Sequence, residues 1–334
     1  MYPRKRKTYW KAVAFGALCI GIVILSVMAF GLVESLLNRA DGQPLPGLSH
    51  ESGENENRIL YNDAWYRQRK DLETILVLGI DRSTDGTLGS TDSEQADFFA
   101  LLLIDKEAES FQILHLNRDT MADIPVLDIA GAEYATKYAQ LALSHTYGSN
   151  EEMRCRNAVN AVERLLYGIE IDHYISLSMD AVAILNDSVG GVTLQIREDL
   201  TAIDPSFSEN AVVTLKGKLA LDFVRARGSL EDSSNLSRME RQRQYIGALF
   251  EAFTASDISE ESTFETLLKV NEHMVSDCTV DQLSAYVEKM KECAYDGIHS
   301  LAGDAVKGAE YMEYYIDETS ARATVIELFY EICE

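Results

Sequence analysis

The stretch ALDFVRARGSLEDSSNLSRMERQRQY, residues 220–245, sets five arginines (Arg225, Arg227, Arg238, Arg241 and Arg243) into a strongly acidic chain. Its pattern predicts strand, loop and helix in turn. Leu221–Arg225 is a short β-like run, and Gly228–Asn235 has the composition of a loop. Ser237 with Glu240 three residues later is a capping-box pair, which predicts a helix with Arg238 on its first turn. Projected at about 100° per residue, Arg238, Gln242, Leu249 and Phe253 share one face, with Ile246 close by. Arg238 and Gln242 are therefore expected to point inward with the apolar stripe. Arg243 lies about 140° round from Arg238 and is expected to be solvated or structural. An inward guanidinium needs an anionic partner, because an unpaired charge is costly to bury. A protein carboxylate can serve, and so can a bound anion, which a helix N-terminus also favours. Several converging arginines favour the bound anion.

Outward from this stretch, 334 residues suffice for one large domain or two small ones with a full core. The first 33 residues stand apart. Arg4, Lys5, Arg6, Lys7 and Lys11 precede Ala12–Val33, which carries no charge. That run exceeds the apolar part of a signal peptide and matches a transmembrane helix. The basic flank predicts residues 1–11 in the cytoplasm and everything after Glu34 outside the cell, on a single-pass anchor in the cell membrane. All 54 acidic residues lie beyond the span, against 25 basic ones, a net charge of −29. Nucleic acid is thereby excluded as an expected partner, and so is general attraction to anionic lipid. An anion site in such a chain must be local, which singles out the arginine-rich stretch again. Beyond the span stand Cys155, Cys278, Cys293 and Cys333 with no CxxC pair. Zinc is not expected, and both disulfides and free thiols remain open.

A hydrophilic spacer is expected over residues 34–70, with a short polar helix within Arg58–Asp71. The folded domain is expected over residues 71–334, with a motif core at 74–253 and a helical portion at 254–334. Thr74–Ile80 (TILVLGI) is an apolar β run that stops at Asp81. The following loop, DRSTDGTLGSTDSEQA (81–96), lacks GKS or GKT and is not a P-loop. Phe98–Asp105 and Ser110–Leu116 predict an antiparallel hairpin, with Arg118 just past it. If these three strands share a sheet, Asp81, Asp97 and Arg118 gather at one edge. Arg225, ending the further predicted strand over Leu221–Arg225, can join them. Helices are expected over Tyr134–Tyr147, Glu151–Tyr167, Asp180–Ser188, Glu261–His273, Val280–Cys293 and Ala321–Tyr330. Gly168 stops the second of these. Strands are expected over Ile171–Leu177 and Val192–Ile196. Such mixing predicts an α/β sandwich with helices on both faces of the sheet.

Two aspartates among several arginines suit a pyrophosphate or phosphoryl group. The carboxylates can hold Mg2+, a hard cation that takes oxygen ligands, while the planar guanidinium forks neutralise phosphate oxygens. Phosphoryl transfer needs chiefly that positioning and neutralisation. No Ser-His-Asp arrangement stands out. His115, His145 and His173 are isolated along the chain and read as structural or surface groups. Lys137 falls in a helix-like run and reads by itself as solvated.

The segments ILVLGID (75–81), ADFFALLLID (96–105), HLNRDT (115–120), LKGKLALDFVRAR (215–227) and SRMERQRQ (237–244) follow the order and spacing of the LytR-CpsA-Psr family. GIEIDHYISLSMDAVAILNDSVGGVTLQI (168–196) is similar to the family's middle portion. The resemblance covers most of Thr74–Phe253, and its most specific feature is VRAR with RxxRQ thirteen residues on. It implies a three-layer α-β-α fold with a mixed central sheet, enclosing an apolar channel for a lipid tail, behind one N-terminal transmembrane helix. It implies a membrane-anchored phosphotransferase of the cell envelope, moving a glycopolymer from a polyprenyl-pyrophosphate carrier to peptidoglycan. Mg2+ is implied at Asp81 and Asp97, with Arg118 completing the catalytic set. Arg225, Arg227, Arg238 and Gln242 are implied as the pyrophosphate grip, and Arg241, Arg82 and Lys137 complete the candidates. There are departures from the family pattern. Gln95-Ala96 replaces the usual Arg-Ser before the second aspartate, and Arg82 is the candidate substitute. Asn235 stands where an aspartate is common, and the loop Gly228–Ser234 is long and acidic. Two other functions stay open: a non-catalytic polyprenyl-phosphate or glycan-binding envelope regulator, and a pyrophosphatase acting on the same lipid.

Overall fold

The computed structural model describes residues 50–51, 58–81, 94–226 and 235–333. The basic tail, the apolar run 12–33, Arg82 and Arg227 lie outside them. No helix among the described residues is long and apolar enough to cross a membrane. The first strands are β1 (His50–Glu51), β2 (Arg58–Tyr61) and β3 (Ala64–Gln68). β2 and β3 form a hairpin, so the polar helix expected over Arg58–Asp71 is not formed. Asn62 and Asp63 take positive φ of 49° and 64°, as a two-residue primed turn requires. β3 also pairs with the last strand of the chain, Tyr330–Ile332, which ties part of the expected spacer to the folded body.

β4 (Leu72–Ile80), β5 (Ala96–Asp105) and β6 (Ser110–Leu116) are antiparallel neighbours, as predicted. β7 (Met121–Leu127) and β8 (Glu133–Gln140) form a second hairpin, followed by a 3-10 turn at Leu141–Thr146. The helix expected over Tyr134–Tyr147 is thus strand and turn. Tyr134, Thr136 and Tyr138 are good strand formers, and β7 supplies the hydrogen-bond partner that local spacing does not reveal. The chain continues through α1 (Glu151–Leu165), β9 (His173–Ser178), α2 (Met179–Ser188), β10 (Val192–Gln195), β11 (Val212–Leu215) and α3 (Lys218–Arg225). Then come α4 (Leu236–Ala255), α5 (Glu260–Asn271), β12 (Met274–Ser276), α6 (Val280–Glu292) and β13 (Ala294–His299). β14 (Gly303–Lys307), β15 (Met312–Ile316), α7 (Glu318–Phe329) and β16 (Tyr330–Ile332) close the chain.

α3 takes up the strand predicted over Leu221–Arg225. Ala220, Phe223 and Val224 are buried at helical spacing, and Lys218 meets Asp222 one turn on at 2.6 Å. Gly217 enters the helix at φ 47°, a conformation open to glycine. A short apolar run does not distinguish strand from helix by itself.

The central sheet has the order β12-β9-β4-β5-β6-β13. β4 runs parallel to β9 and β6 parallel to β13, and the other pairs are antiparallel, so the fold is mixed α/β with a mixed sheet. Side-chain alternation sorts the strands onto two faces. Leu76, Leu78, Phe99, Leu101 and Leu114 pack with Ala158, Ala161 and Val162 of α1. Ile75, Ile104 and Phe111 pack with Phe250 of α4 and Met290 of α6. A separate cluster joins Val192, Leu194 and Leu215 to Phe223 and Tyr245. Cys155, Cys278, Cys293 and Cys333 are free thiols.

Candidate active site at one end of the central sheet

β4 and β6 run one way and β5 the other, so the ends of β4 and β6 and the start of β5 share one end of the sheet. The register pairs Gly79 with Phe98 and Ile80 with Ala96, which leaves Asp97 as the extra residue of a β-bulge. A bulge re-aims the side chain it carries. Gly79 beneath it has no room for a side chain: a Cβ there would lie 2.9 Å from Phe98 Cβ. The glycine of the GID segment is therefore a close-approach glycine that lets β5 bulge.

The Asp97 carboxylate pairs with Arg118, whose Nε lies 3.3 Å from Asp119 Oδ1. Arg225, the last residue of α3, donates from Nη2 to Asp81 Oδ2 at 2.5 Å. The Asp81 and Arg225 side chains are 37% and 53% exposed, so this pair opens to solvent. Asp81, Asp97, Arg118 and Arg225 thus meet as the strand ends predict, although a helix rather than a strand brings Arg225. A buried asparagine of α2 ties β11, the strand that leads into α3, to α4. Asn186 donates to the Leu215 carbonyl at 3.0 Å and accepts from Tyr245 Oη of α4 at 3.2 Å.

Arg238 reaches the same end through a polar chain. Its Nε donates to Asn235 Oδ1 at 2.7 Å, Asn235 donates to Asn117 Oδ1 at 3.2 Å, and Asn117 Oδ1 also accepts the Asp119 amide at 3.0 Å. Gln140, at the end of β8, donates to Asp119 Oδ1 at 3.1 Å and to the Met312 carbonyl at 2.7 Å. Sequence reasoning missed Asn117, Asp119, Asn235 and Gln140 as supports. Asn117 and Asp119 flank Arg118 in the quoted HLNRDT, and Asn235 stood there only as a departure.

Two expectations for α4 are corrected. The Ser237–Glu240 capping box is not formed, because Asn235 is the N-cap and the helix starts one residue before Ser237. The inward arginine is Arg241, 3% exposed, not Arg238. Met239 and Tyr245 set the buried face, and Arg241 between them bonds Glu198 and the Ala226 carbonyl. Arg241 thus has a protein carboxylate as its anion. Arg238 and Gln242 are only half-buried. Arg243 meets Glu240 at 2.8 Å, a structural pairing as expected. Lys137 is exposed on strand β8 opposite Ile124, not on a helix.

Beneath the arginines, burial above all, with the Arg243 and Arg238 charges adding, pushes buried His115 down to about 3. It is a neutral imidazole, and its shift places the positive field of α4 over β6. At the other end of the sheet, His173, Asp277 and Cys278 bring three donor atoms within 4.8 Å of one another, a grouping that the isolated positions in the sequence conceal. Asp277 Oδ1 accepts the Tyr174 amide at 3.0 Å, and burial first, with Asp277 beside it, pushes the Cys278 thiol up to about 11. Of the three, Asp277 is the group that hydrogen-bonds the β9 backbone.

Fold and site together define a mixed α/β protein whose central sheet gathers two carboxylates and several arginines at one end. A model of the LytR_cpsA_psr family matches residues 48–328, and the chain belongs to that family. It is 26% identical over 242 residues to a polyisoprenyl-teichoic acid–peptidoglycan teichoic acid transferase, TagU, of Halalkalibacterium halodurans, covering 72% of this chain and 71% of that one. To the protein of the same name from Bacillus mycoides it is 23% identical over 324 residues, 96% of each chain. Among solved structures, TagT bound to LIIa-WTA aligns with a TM-score of 0.60 at 18% identity, over 78% of this chain and 90% of that one, and shares the fold.

Proposed function

We propose that this chain is a membrane-anchored phosphotransferase that moves a glycopolymer from a polyprenyl-pyrophosphate carrier to peptidoglycan outside the cell. The observation that carries the reading is the pairing of Asp81 with Arg225 and of Asp97 with Arg118 at one end of the sheet. The names of the TagU relatives support a wall glycopolymer as substrate. The charge-free run 12–33 behind a basic flank supports the anchor and its orientation. α1 against one face of the sheet and α4 and α6 against the other support the three-layer arrangement.

In this reading the oxygen of an acceptor hydroxyl attacks the phosphorus attached to the glycopolymer. A new P–O bond forms, the bond to the bridging oxygen breaks, polyprenyl phosphate leaves with that electron pair, and the hydroxyl proton is released. Arg118, Arg225 and Arg238 present guanidinium forks that match phosphate oxygens, Gln242 lies one turn along from Arg238, and Arg227 is a further candidate from the sequence alone. Arg118 and Arg225 already rest on carboxylate oxygens, so a phosphate oxygen can replace a carboxylate oxygen with little rearrangement. Asp81 and Asp97 offer oxygen donors only, at one sheet edge, and this donor set fits Mg2+. When bound there, Mg2+ supplies further neutralisation of phosphate oxygens. Asn117, Asp119 and Asn235 orient Arg118 and Arg238.

The test is Mg2+-dependent release of polyprenyl phosphate by the purified full chain. Asp81→Ala abolishes it in this reading, and retained turnover defeats the mechanism. One observation favours a second reading, a binding protein without turnover: Gln95-Ala96 stands in place of Arg-Ser beside Asp97. Lipid binding with no release supports that reading, and free phosphorylated glycan as product supports a pyrophosphatase.

A further inference from the structure

The hairpin β7–β8 and the strand β15 carry a surface that the arginine site does not use. Tyr134 and Tyr138 are 70% and 57% exposed, and Tyr315 is 40% exposed. Exposed tyrosines at this density need a reason, because each leaves a large apolar ring in water. The register passes from Val126–Ala135 to Leu127–Glu133, so Tyr134 is the extra residue of a bulge, and strand alternation assigns opposite faces to Tyr138 and Lys137 but no face to Tyr134. Tyr138 faces Asp123 across the hairpin. Burial first, then the charges of Asp123, Glu318 and Glu313, raise the Tyr138 phenol, which puts those carboxylates around it. Tyr315 Oη donates to Glu313 Oε2 at 2.6 Å, and the Tyr315 phenol feels Tyr138. Two tyrosine rings, Tyr138 and Tyr315, and three carboxylates therefore share one patch.

The patch is tied directly to the catalytic end. Gln140, two residues beyond Tyr138, bonds Asp119, the neighbour of Arg118. Tyr314, next to Tyr315, donates its amide to the Asp119 carbonyl at 2.9 Å and bridges Thr120. At about 3.3 Å per strand residue, Tyr138 lies about 7 Å along the strand from Gln140. Aromatic faces stack on the C–H faces of sugar rings, while carboxylates accept hydrogen bonds from sugar hydroxyls. The same carboxylates repel a polymer of phosphodiesters. We infer that the Tyr138–Tyr315 patch binds an unphosphorylated glycan strand, the acceptor, and delivers its hydroxyl to the Arg118 end of the sheet. The arginine end takes the anionic donor, and the tyrosine patch takes the neutral acceptor. The inference rests on the proposed transferase reading.

The test uses the full chain and a neutral N-acetylhexosamine tetrasaccharide as probe, followed by isothermal titration and by saturation-transfer NMR. Binding to the native chain and at least tenfold weaker binding to Tyr138→Ala/Tyr315→Ala are expected. The substituted side chains are exposed, so an unchanged melting temperature shows that the fold is kept. No binding to the native chain, or equal binding to the variant, overturns the inference. So does a phosphodiester oligomer that binds the patch in preference to the neutral probe. Polyprenyl pyrophosphate titrated into the same two proteins judges the transferase reading separately. The variant is expected to bind that lipid as the native chain does. Loss of oligosaccharide binding with lipid binding intact is the signature of an acceptor surface.

Discussion

The two ends of the central sheet are built from the same residues and do different work. At one end Arg69 alone bridges Asp71 and Asp105. Asp105 is buried and also accepts the amides of Glu107 and Ala108 at 3.0 and 2.7 Å. Burial works to raise its carboxyl, but the Ala108 amide and Arg69 outweigh it and hold the group below the usual range. At the other end Asp81 and Asp97 each have their own arginine, and the Asp81–Arg225 pair is open to solvent. A carboxylate held by backbone amides and a shared guanidinium is a clamp. A carboxylate facing a single arginine at an open edge can exchange that partner for a cation. The distinction lies in the surroundings and not in the residue types.

That comparison breaks first at the catalytic end. Asp81→Ala and Asp97→Ala are each expected to lower Mg2+-dependent turnover by about a hundredfold or more, the scale seen when one charge-stabilising group is lost. Their melting temperatures should change little. A large stability loss with turnover intact would place the clamp at the wrong end. Arg69→Ala is the converse. It leaves buried Asp105 and part-buried Asp71 without their cation and should cost about 2–4 kcal/mol in denaturant unfolding. Turnover of the remaining folded protein should be unaffected.

The two arginines of α4 offer a finer version of the same contrast. Arg241→Ala strips Glu198 and the Ala226 carbonyl of their partner and should destabilise by about 2–3 kcal/mol. Arg238→Ala should leave the melting curve in place while lipid pyrophosphate binding weakens about tenfold, the value of one charge-assisted contact. Equal stability loss in both would mean that both arginines are structural.

The last effect, small per pH unit, is a pH dependence of stability. His115 is neutral in the fold at about 3, against about 6.5 in the unfolded chain. The unfolded state therefore binds the proton first, and stability falls as pH drops from about 6.5 toward 3, by at most about 1.4 kcal/mol per pH unit. His115→Phe should flatten that part of the profile. Asp105 has the other common sign relation, a depressed carboxylate. Its contribution is present above the unfolded value of about 4 and is lost as pH falls through the folded one. Arg69→Ala should reduce that acid-side loss, the Glu107 and Ala108 amides keeping the rest, and leave the His115 slope in place.

What the sequence determined by itself is the part that depends on neighbours along the chain. The apolar run before Asp81 and the hairpin at Ala96–Leu116 placed Asp81, Asp97 and Arg118 at one sheet end, because strand direction and a short turn fix which ends meet. Local patterns misled where a second element decided the outcome. The Tyr134–Tyr147 segment is a strand because β7 pairs with it. Lys218–Arg225 is a helix because Phe223 and Val224 bury against β10 and β11 as well as α4. Tertiary structure alone chose Arg241 as the inward arginine. The helix begins at Leu236, and the buried face follows Met239 and Tyr245 rather than Leu249 and Phe253. The five arginines of residues 220–245 were visible from the start. Which of them the protein keeps for itself depends on Glu198, 43 residues from Arg241 in the chain and in contact with it in the fold.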